Sequence, residues 1–511
     1  MKIILKTFCF ITMVLFSLVS YAHDGHADED MVLKDLGNLG TVNFTTSCNA
    51  DAQKAINTGV GLLHHMMYAQ AEMFFNQWKK KAPKCAMMYW GYSMSLFHPL
   101  WPDTIKDEAL VRGHSALTKA QQLQSTKREK SYISAAAQYY QNWENLTNKE
   151  RTAKWAEAQS FVYQQNPDDI DATAFFALSQ LVMAPKNDPT FKQNQLAGEL
   201  LGKLRKVSPY HPGAIHYTIH AYDNPLQAEL AIDAARSYDK IAPDVPHSLH
   251  MPSHIFVRLG MWNDAISWNI RSANAALKYP TKEATSLHYA HAMDYLIYGY
   301  LQLGKGNKAK QALEQLESHH PIQPIFPTAY ALAAIPARIV LEQKQWQQAS
   351  QLKLEYPNYI PWKKFPQVEA ITYFARGLGA ARSGDLSLAQ QNVEVLNNLY
   401  DKTKVSSPDY WAQLVDAQRK VIIAWISFAK GEKNQALTQL RQAADIEDSI
   451  DKNPVTPGAV IPARELLADM LLLNGDYSGA LTAYKSTLAI SPNRLNSVKG
   501  VSDTNLKLSK K

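Results

Sequence analysis

Histidine is the residue type whose spacing in this chain can do chemistry. Between His211 and Asp294 the sequence reads HPGAIHYTIHAYD, then HSLHMPSHIFVRLG, then LHYAHAMDYLIY. Neutral imidazole ligates zinc, copper, nickel and iron, and several imidazoles with one carboxylate make a donor set that suits those ions. His216 and His220 are four residues apart, as are His250 and His254. On a helix that spacing puts both rings on one face, so each pair is a two-ligand module. His247, His291 and Asp294 supply the further donors of a transition-metal site. Catalysis at such an ion needs an open coordination position and a nearby base. Asp223 or Asp294 would be that base, and Arg258 or Tyr217 would stabilise an anion. The chain contains no H-E-x-x-H, no G-x-S-x-G elbow, no phosphate-binding loop and no dinucleotide fingerprint. Whether it is an enzyme is therefore left open.

The same strings also fit a groove without metal. Tyr217, Tyr222, Asp223, Tyr289, Arg258 and His288 would line a polar concave surface that hydrogen-bonds a peptide, a protein or a small ligand. Pro252 within HMPSH suggests that part of this motif serves local geometry. Other histidines carry less. His64-His65-Met66-Met67, with Met87-Met88 and His98, contains donors that copper accepts, although methionines at helical spacing usually fill a core. His23-Asp24-Gly25-His26 would chelate copper if His23 became a free N-terminus. His319-His320 precede a proline and mark a loop.

The elements that position these residues are helices. Glycine and proline are sparse within long segments rich in Ala, Leu, Gln, Lys and Tyr, and strand-type alternation is hard to find. One phrase recurs. Near the C-terminus it is Gly475-Asp476-Tyr477, then Ala480, Tyr484, Leu488 and Pro492. The glycine makes a tight turn, the small residue lets two helices approach, the aromatic fills the space beside it, and the proline stops the second helix. Looser copies run through Gly59, Tyr68, Ala71, Phe75 and Pro83; Ala197, Leu201 and Pro209; and Gly260, Trp262 and Ala265. They continue through Gly304 and Ala309; Trp346 and Ala349; Gly384 and Ala389; and Gly431, Ala436 and Ala443.

This pattern resembles the tetratricopeptide-repeat superfamily over almost the whole chain after the leader, with about ten or eleven helix pairs. The strings HYTIHAYD, HMPSHIFVRLGMW and HAMDYLIYGYLQ are also similar to those of a group of exported bacterial repeat proteins. The superfamily resemblance implies an all-α, right-handed solenoid whose concave face binds proteins or peptides. It also implies a frame. Counting from the turn glycines places His220, His247, His250, His254, His291 and Asp294 on inward faces of three successive first helices, while His216 falls nearer a packing seam.

The N-terminus reads as a secretory signal: Lys2 and Lys6, an apolar run from Phe8 to Val19, and small residues ending at Ala22. Residues 23–47 lack periodicity and are expected as a flexible leader, 48–495 as the solenoid with its histidine-rich groove at 211–294, and 496–511 as a tail. Beyond the signal only Cys48 and Cys85 remain, which in an oxidising compartment suggests one disulfide. Closing a loop of about 36 residues would contribute roughly 3–4 kcal/mol through chain entropy. No segment after the signal is apolar enough to span a membrane, so a periplasmic or secreted protein is expected. The net charge of +7 is spread thinly, with Lys79-Lys80-Lys81 the densest basic run, so nucleic acid is not an expected partner. The reading is an exported repeat protein that binds a transition metal, or a peptide or small ligand, in its central groove. The alternatives are a metal-dependent enzyme using the same groove and a metal-free scaffold of the cell envelope.

Overall fold

The computed structural model describes residues 36–101, 105–185, 188, 190–278, 284–407 and 410–510. The signal sequence and the His23–His26 candidate lie outside the described residues. The chain is all-α. Its first half comprises α1 (Ala50–His64), α2 (Tyr68–Lys81), α3 (Ala86–Leu96), α4 (Asp107–Gln122), α5 (Lys127–Tyr140), α6 (Asn148–Gln165), α7 (Ile170–Met183) and α8 (Lys192–Val207). The middle comprises α9 (Pro212–Tyr222), α10 (Ile232–Ser237), α11 (Pro246–His250), α12 (Pro252–Arg258), α13 (Trp262–Ala276), α14 (Leu287–Gln302) and α15 (Gly306–Glu317). The last part comprises α16 (Phe326–Glu342), α17 (Trp346–Ser350), α18 (Pro366–Ser383), α19 (Leu386–Ser406), α20 (Trp411–Ala429), α21 (Lys433–Asp448), α22 (Ala463–Leu473), α23 (Tyr477–Ile490) and α24 (Leu495–Leu508). Among the described residues the only strand-type pairing is one parallel bridge, Thr285 with Ile322.

Local chemistry explains the punctuation. Thr126 and Glu129, and Thr147 and Glu150, form capping boxes at the starts of α5 and α6, each satisfying two otherwise unpaired backbone donors. The turn glycines behave as the repeat requires. Gly260, Gly304, Gly384, Gly431 and Gly475 all have φ between +64° and +94°, a left-handed conformation that costs glycine nothing. Between α16 and α17 the same place is taken by Lys344 at φ +55°. The small residues are where two helices touch: Ala71, Ala197, Ala265, Ala309, Ala349, Ala389, Ala436 and Ala480 are all fully buried. A β-carbon at Gly59 or Gly91 would overlap the Phe75 ring, which fills the seam of the first pair.

Apart from α10, which packs on α12 and not on α11, each helix packs on its successor in the chain, and α14, α16, α18 and α20 also pack each on the next of that series. That is the nearest-neighbour logic of a repeat array, and the molecule is an all-α solenoid of helix pairs. Three apolar cores follow one another along it, centred on the first nine helices, on α9–α14, and on α13–α23.

Both ends depart from the sequence expectation, and for the same reason: they bury side chains against the array. Residues 36–47 were expected to be flexible, yet Phe44 is fully buried between Trp90 and Tyr132, and the Thr41 amide donates to the Tyr210 carbonyl at 2.9 Å. Ser47 donates to the Glu129 carboxylate. The expected tail beyond 495 is the helix α24, whose Gly500 packs under the Tyr484 ring. The fully buried Arg494 at its start pairs with Glu465 and Glu342 at 2.8 Å. Cys48 and Cys85 are joined at a disulfide distance of 2.03 Å, tying the N-terminal segment to the start of α3. No described helix is long and apolar enough to cross a membrane.

One returning segment fills the concave face. After α21 the chain runs back across the middle. The Tyr295 hydroxyl donates to the Pro454 and Thr456 carbonyls, and Arg338 donates to the Gly458 and Ala459 carbonyls. Asp451 and Lys452 reach Arg258 and Asp223. The central groove expected for an external ligand is thus lined by the protein's own backbone over this stretch.

Candidate metal centre

The histidines come from four helices that meet under this returning segment. His216 and His220 sit on consecutive turns of α9, where Pro212 starts the helix and the His211 ring accepts the Ala214 amide as an N-cap. His247 and His250 belong to α11, His254 to α12, and His291 to α14. The break between α11 and α12 falls at Met251, because Pro252 has no amide hydrogen to continue the ladder. The break leaves His250 and His254 on one face, with ring centroids 4.9 Å apart.

Two groups of three form. Within His216, His220 and His247, and within His250, His254 and His291, one nitrogen from each ring lies within 4.8 Å of the others. His220 is partly buried and the other five are buried. The groups touch, with ring centroids 6.2 Å apart for His247 and His250, and 6.3 Å for His220 and His254. His288 and Trp101 close over His247, at centroid distances of 5.4 and 6.0 Å.

Hydrogen bonds fix which nitrogens carry protons. His216 Nδ1 is 2.7 Å from the His64 carbonyl, which only accepts, so Nδ1 is the donor and Nε2 carries the lone pair. His250 Nδ1 is 2.8 Å from Asn269 Oδ1, and the Asn269 amide is oriented by donating Nδ2 to the Ala265 carbonyl. His250 Nε2 is therefore also a lone pair. His254 Nδ1 is 2.9 Å from Asp223 Oδ2. Burial opposes ionisation of Asp223, but Lys452, Arg258 and His254 outweigh it and hold the carboxyl well below the usual carboxylate range. His254 Nδ1 must then donate, and Nε2 is again free. A ligating histidine that donates its other nitrogen to a carboxylate or carbonyl is the arrangement found around metal ions.

Two features then stand out. His250 Nε2 and His254 Nε2 face each other at 3.0 Å with a lone pair each, a repulsive contact unless a cation lies between them. Among the described residues, His216 Nε2, His220 Nε2 and both nitrogens of His247 are buried without a hydrogen-bond partner. Unpaired buried polar atoms are expensive, and such a set has to be explained by something it binds. Burial, reinforced by neighbouring histidines, pushes His216, His247, His250 and His291 well below the ordinary imidazole range, so these rings are neutral and able to ligate. His220 is lowered to about 3, again chiefly by burial.

A third group, His64, Asp171 and His211, looks alike by composition and is different by bonding. His211 Nδ1 accepts the Ala214 amide, so its Nε2 donates to Asp171 at 3.2 Å. The Tyr217 hydroxyl donates to His64 Nδ1 at 3.0 Å, and His64 Nε2 donates to Asp171 at 2.9 Å. Every ring nitrogen is used, with both imidazoles neutral. This group is a buried polar knot that ties α1 to α7 and α9.

Several sequence expectations change here. Asp294 joins neither triad; its carboxylate pairs with Arg338 at 3.2 Å, and burial raises it to about 6 against the opposing guanidinium. The inward frame was right for its helix and wrong for its partner, because Arg338 of α16 fills the space beside it. His216 is a member of the first triad and not a seam residue. Tyr217 belongs to the polar knot, and Tyr222 packs against Gly198. Asp223 and Arg258 sit behind His254 as its carboxylate and that carboxylate's partner. His65, Met66, Met67, Met87 and Met88 are core; His65 is held by Tyr238 and the Leu39 carbonyl. Asn269 and Lys452 were missed by the sequence reading. Neither lies near the histidines in sequence, and no local motif marks them.

No protein-family model matches the chain, and no curated protein matches it. Solved structures of similar arrangement include the TPR domain of P58(IPK), at 13% identity and a TM-score of 0.21 over 90% of this chain and 99% of that chain. The APC/C hetero-tetramer Cut9-Hcn1 matches at 10% identity and a TM-score of 0.30, over 88% and 89% of the two chains. A monomeric IFIT1 mutant with m7Gppp-AAAA matches at 10% and 0.32, over 90% and 98%. At such TM-scores the description of the fold rests on the helix pairing and turn glycines above.

Proposed function

We propose that this chain is an exported solenoid protein that binds a transition metal through the histidines between His216 and His291. The observation that carries the reading is the 3.0 Å approach of His250 Nε2 and His254 Nε2, with both Nδ1 atoms committed as donors. A cation turns that contact from repulsive to bonding. Zinc, copper, nickel and iron all accept imidazole, and the donor set favours them over magnesium or calcium, which take oxygen. Three protein ligands leave a coordination position for a further ligand, which is what an ion acting on a substrate needs. The disulfide-bonded cysteines fit an oxidising compartment and so support export.

The solenoid also favours a second role, the binding of protein partners on surfaces away from the histidines. The histidine-lined face itself is a poorer peptide groove than the sequence suggests, because the segment carrying Pro454, Thr456 and Gly458 runs along it.

Metal analysis of the purified full chain, beside His250→Ala and His254→Ala, tests the metal reading. Metal should co-purify with, or be taken up by, the wild type, and both variants should hold less of it. A wild type that takes up none of the four metals under replete conditions would overturn it.

A further inference from the structure

The two triads are separate donor sets, and this separation says more than that metal is bound. They share no ligand: His216, His220 and His247 form one, His250, His254 and His291 the other. Each has its own geometry of supply, the first from α9 and α11, the second from α11, α12 and α14. The orientation of each is fixed independently, by the His64 carbonyl in the first and by Asn269 and Asp223 in the second. Yet they are contiguous, because His247 and His250 are neighbours on one turn and His220 stands 6.3 Å from His254 between ring centroids. The donor atoms fall into two groups of three, each within 4.8 Å of one another, so each group is a site for one ion. One ion in the second triad would also leave the buried nitrogens of His216, His220 and His247 without partners.

Charge narrows the identity of the ions. All six ligands are neutral imidazoles, and the nearby carboxylates are already balanced. Asp223 faces Lys452 and Arg258, and Asp294 faces Arg338. Among the described residues no unpaired carboxylate remains to offset two divalent ions, and uncompensated charge in a buried site is costly. Among zinc, copper, nickel and iron, copper alone has a stable monovalent state, and it takes three nitrogen donors. We propose that the two triads hold a pair of adjacent copper(I) ions, one per triad. This rests on the metal reading above and adds the number, arrangement and valence of the ions.

The test is anaerobic titration of the metal-stripped, disulfide-intact full chain with copper(I), in competition with a chromophoric copper(I) chelator. The wild type should bind two copper ions per chain. His247→Ala and His291→Ala, each confirmed as folded by its helical circular dichroism, should bind one each. The double variant should bind none. Should His247→Ala fail to fold, His220→Ala of the same triad replaces it; should His291→Ala fail, His254→Ala replaces it. One copper per wild-type chain, or two retained in His247→Ala, would overturn the pair while leaving metal binding intact. No copper, together with no uptake of zinc, nickel or iron, would overturn both. Displacement of copper(I) by an equal concentration of zinc(II) would overturn the choice of a monovalent ion.

Discussion

The knot of His64, Asp171 and His211 and the triads beside it are built from the same residue type at the same depth, and they differ in one respect. In the knot each imidazole nitrogen has a partner of the right polarity, and the carboxylate is inside the group. In the triads Nδ1 of His216, His250 and His254 is anchored while the opposite nitrogens face each other or nothing, and the carboxylate of Asp223 stands behind the His254 ring. Composition and proximity do not separate a structural histidine cluster from a metal centre. Proton placement does. The first group is satisfied within the protein; the second carries a cost that a bound cation would offset.

The largest effect should come from breaking the knot. Asp171→Ala leaves two buried imidazole N–H groups unpaired and should cost about 3–5 kcal/mol in denaturant unfolding, with metal stoichiometry unchanged. Loss of metal in a folded Asp171→Ala chain would mean that the two regions are one site. Next, saturating metal at a thousandfold over Kd should stabilise the wild type by about 4 kcal/mol for each ion bound. The same addition should stabilise His250→Ala and His254→Ala only by what the intact first triad contributes, and stabilisation equal to the wild type's would show that these two histidines hold no ion.

The carboxylate behind the ring gives a smaller, sharper contrast. Asp223→Asn keeps shape and a hydrogen bond but removes the charge that fixes the His254 tautomer. Metal affinity should fall about ten- to hundredfold with stoichiometry kept, read by competition with a chelator. An unchanged affinity would remove Asp223 from the site. The smallest effect per step is with pH. Burial lowers His64 to about 4 and His65 to about 3, from an ordinary value near 6.5. Below pH 6.5 the unfolded chain takes up protons that the folded chain refuses. Stability is therefore complete above that point and falls, by about 1.4 kcal/mol per pH unit for each ring, as pH drops toward 4. Denaturant titrations of the metal-free chain from pH 7 to 4 check this, and a flat profile would contradict neutral burial of these rings.

Much of the architecture was legible because repeats make their demands locally. Gly475 followed by Ala480 and Tyr484 specifies a turn and a seam without reference to anything distant, and the structure has both. The histidine spacing was legible for the same reason: i and i+4 on a helix share a face whatever the fold around them. What the sequence hides is the long-range partner. Asp294 looked like a ligand until Arg338, from the next first helix, took its carboxylate. Asn269 and Lys452 gain their roles only because α13 and the segment after α21 reach the same place. The ends were misread because Phe44 and Arg494 carry no periodic signal, yet each is buried against helices far away in sequence.

The central claim is that proton placement divides these histidines into a knot and a metal centre, and anomalous diffraction at the copper edge from copper-loaded crystals of the full chain tests it most directly. The account predicts anomalous density bounded by His250 Nε2 and His254 Nε2, with a second peak among His216, His220 and His247, and none between His64, Asp171 and His211. Density in the knot, or none in either triad of a loaded crystal, would contradict it.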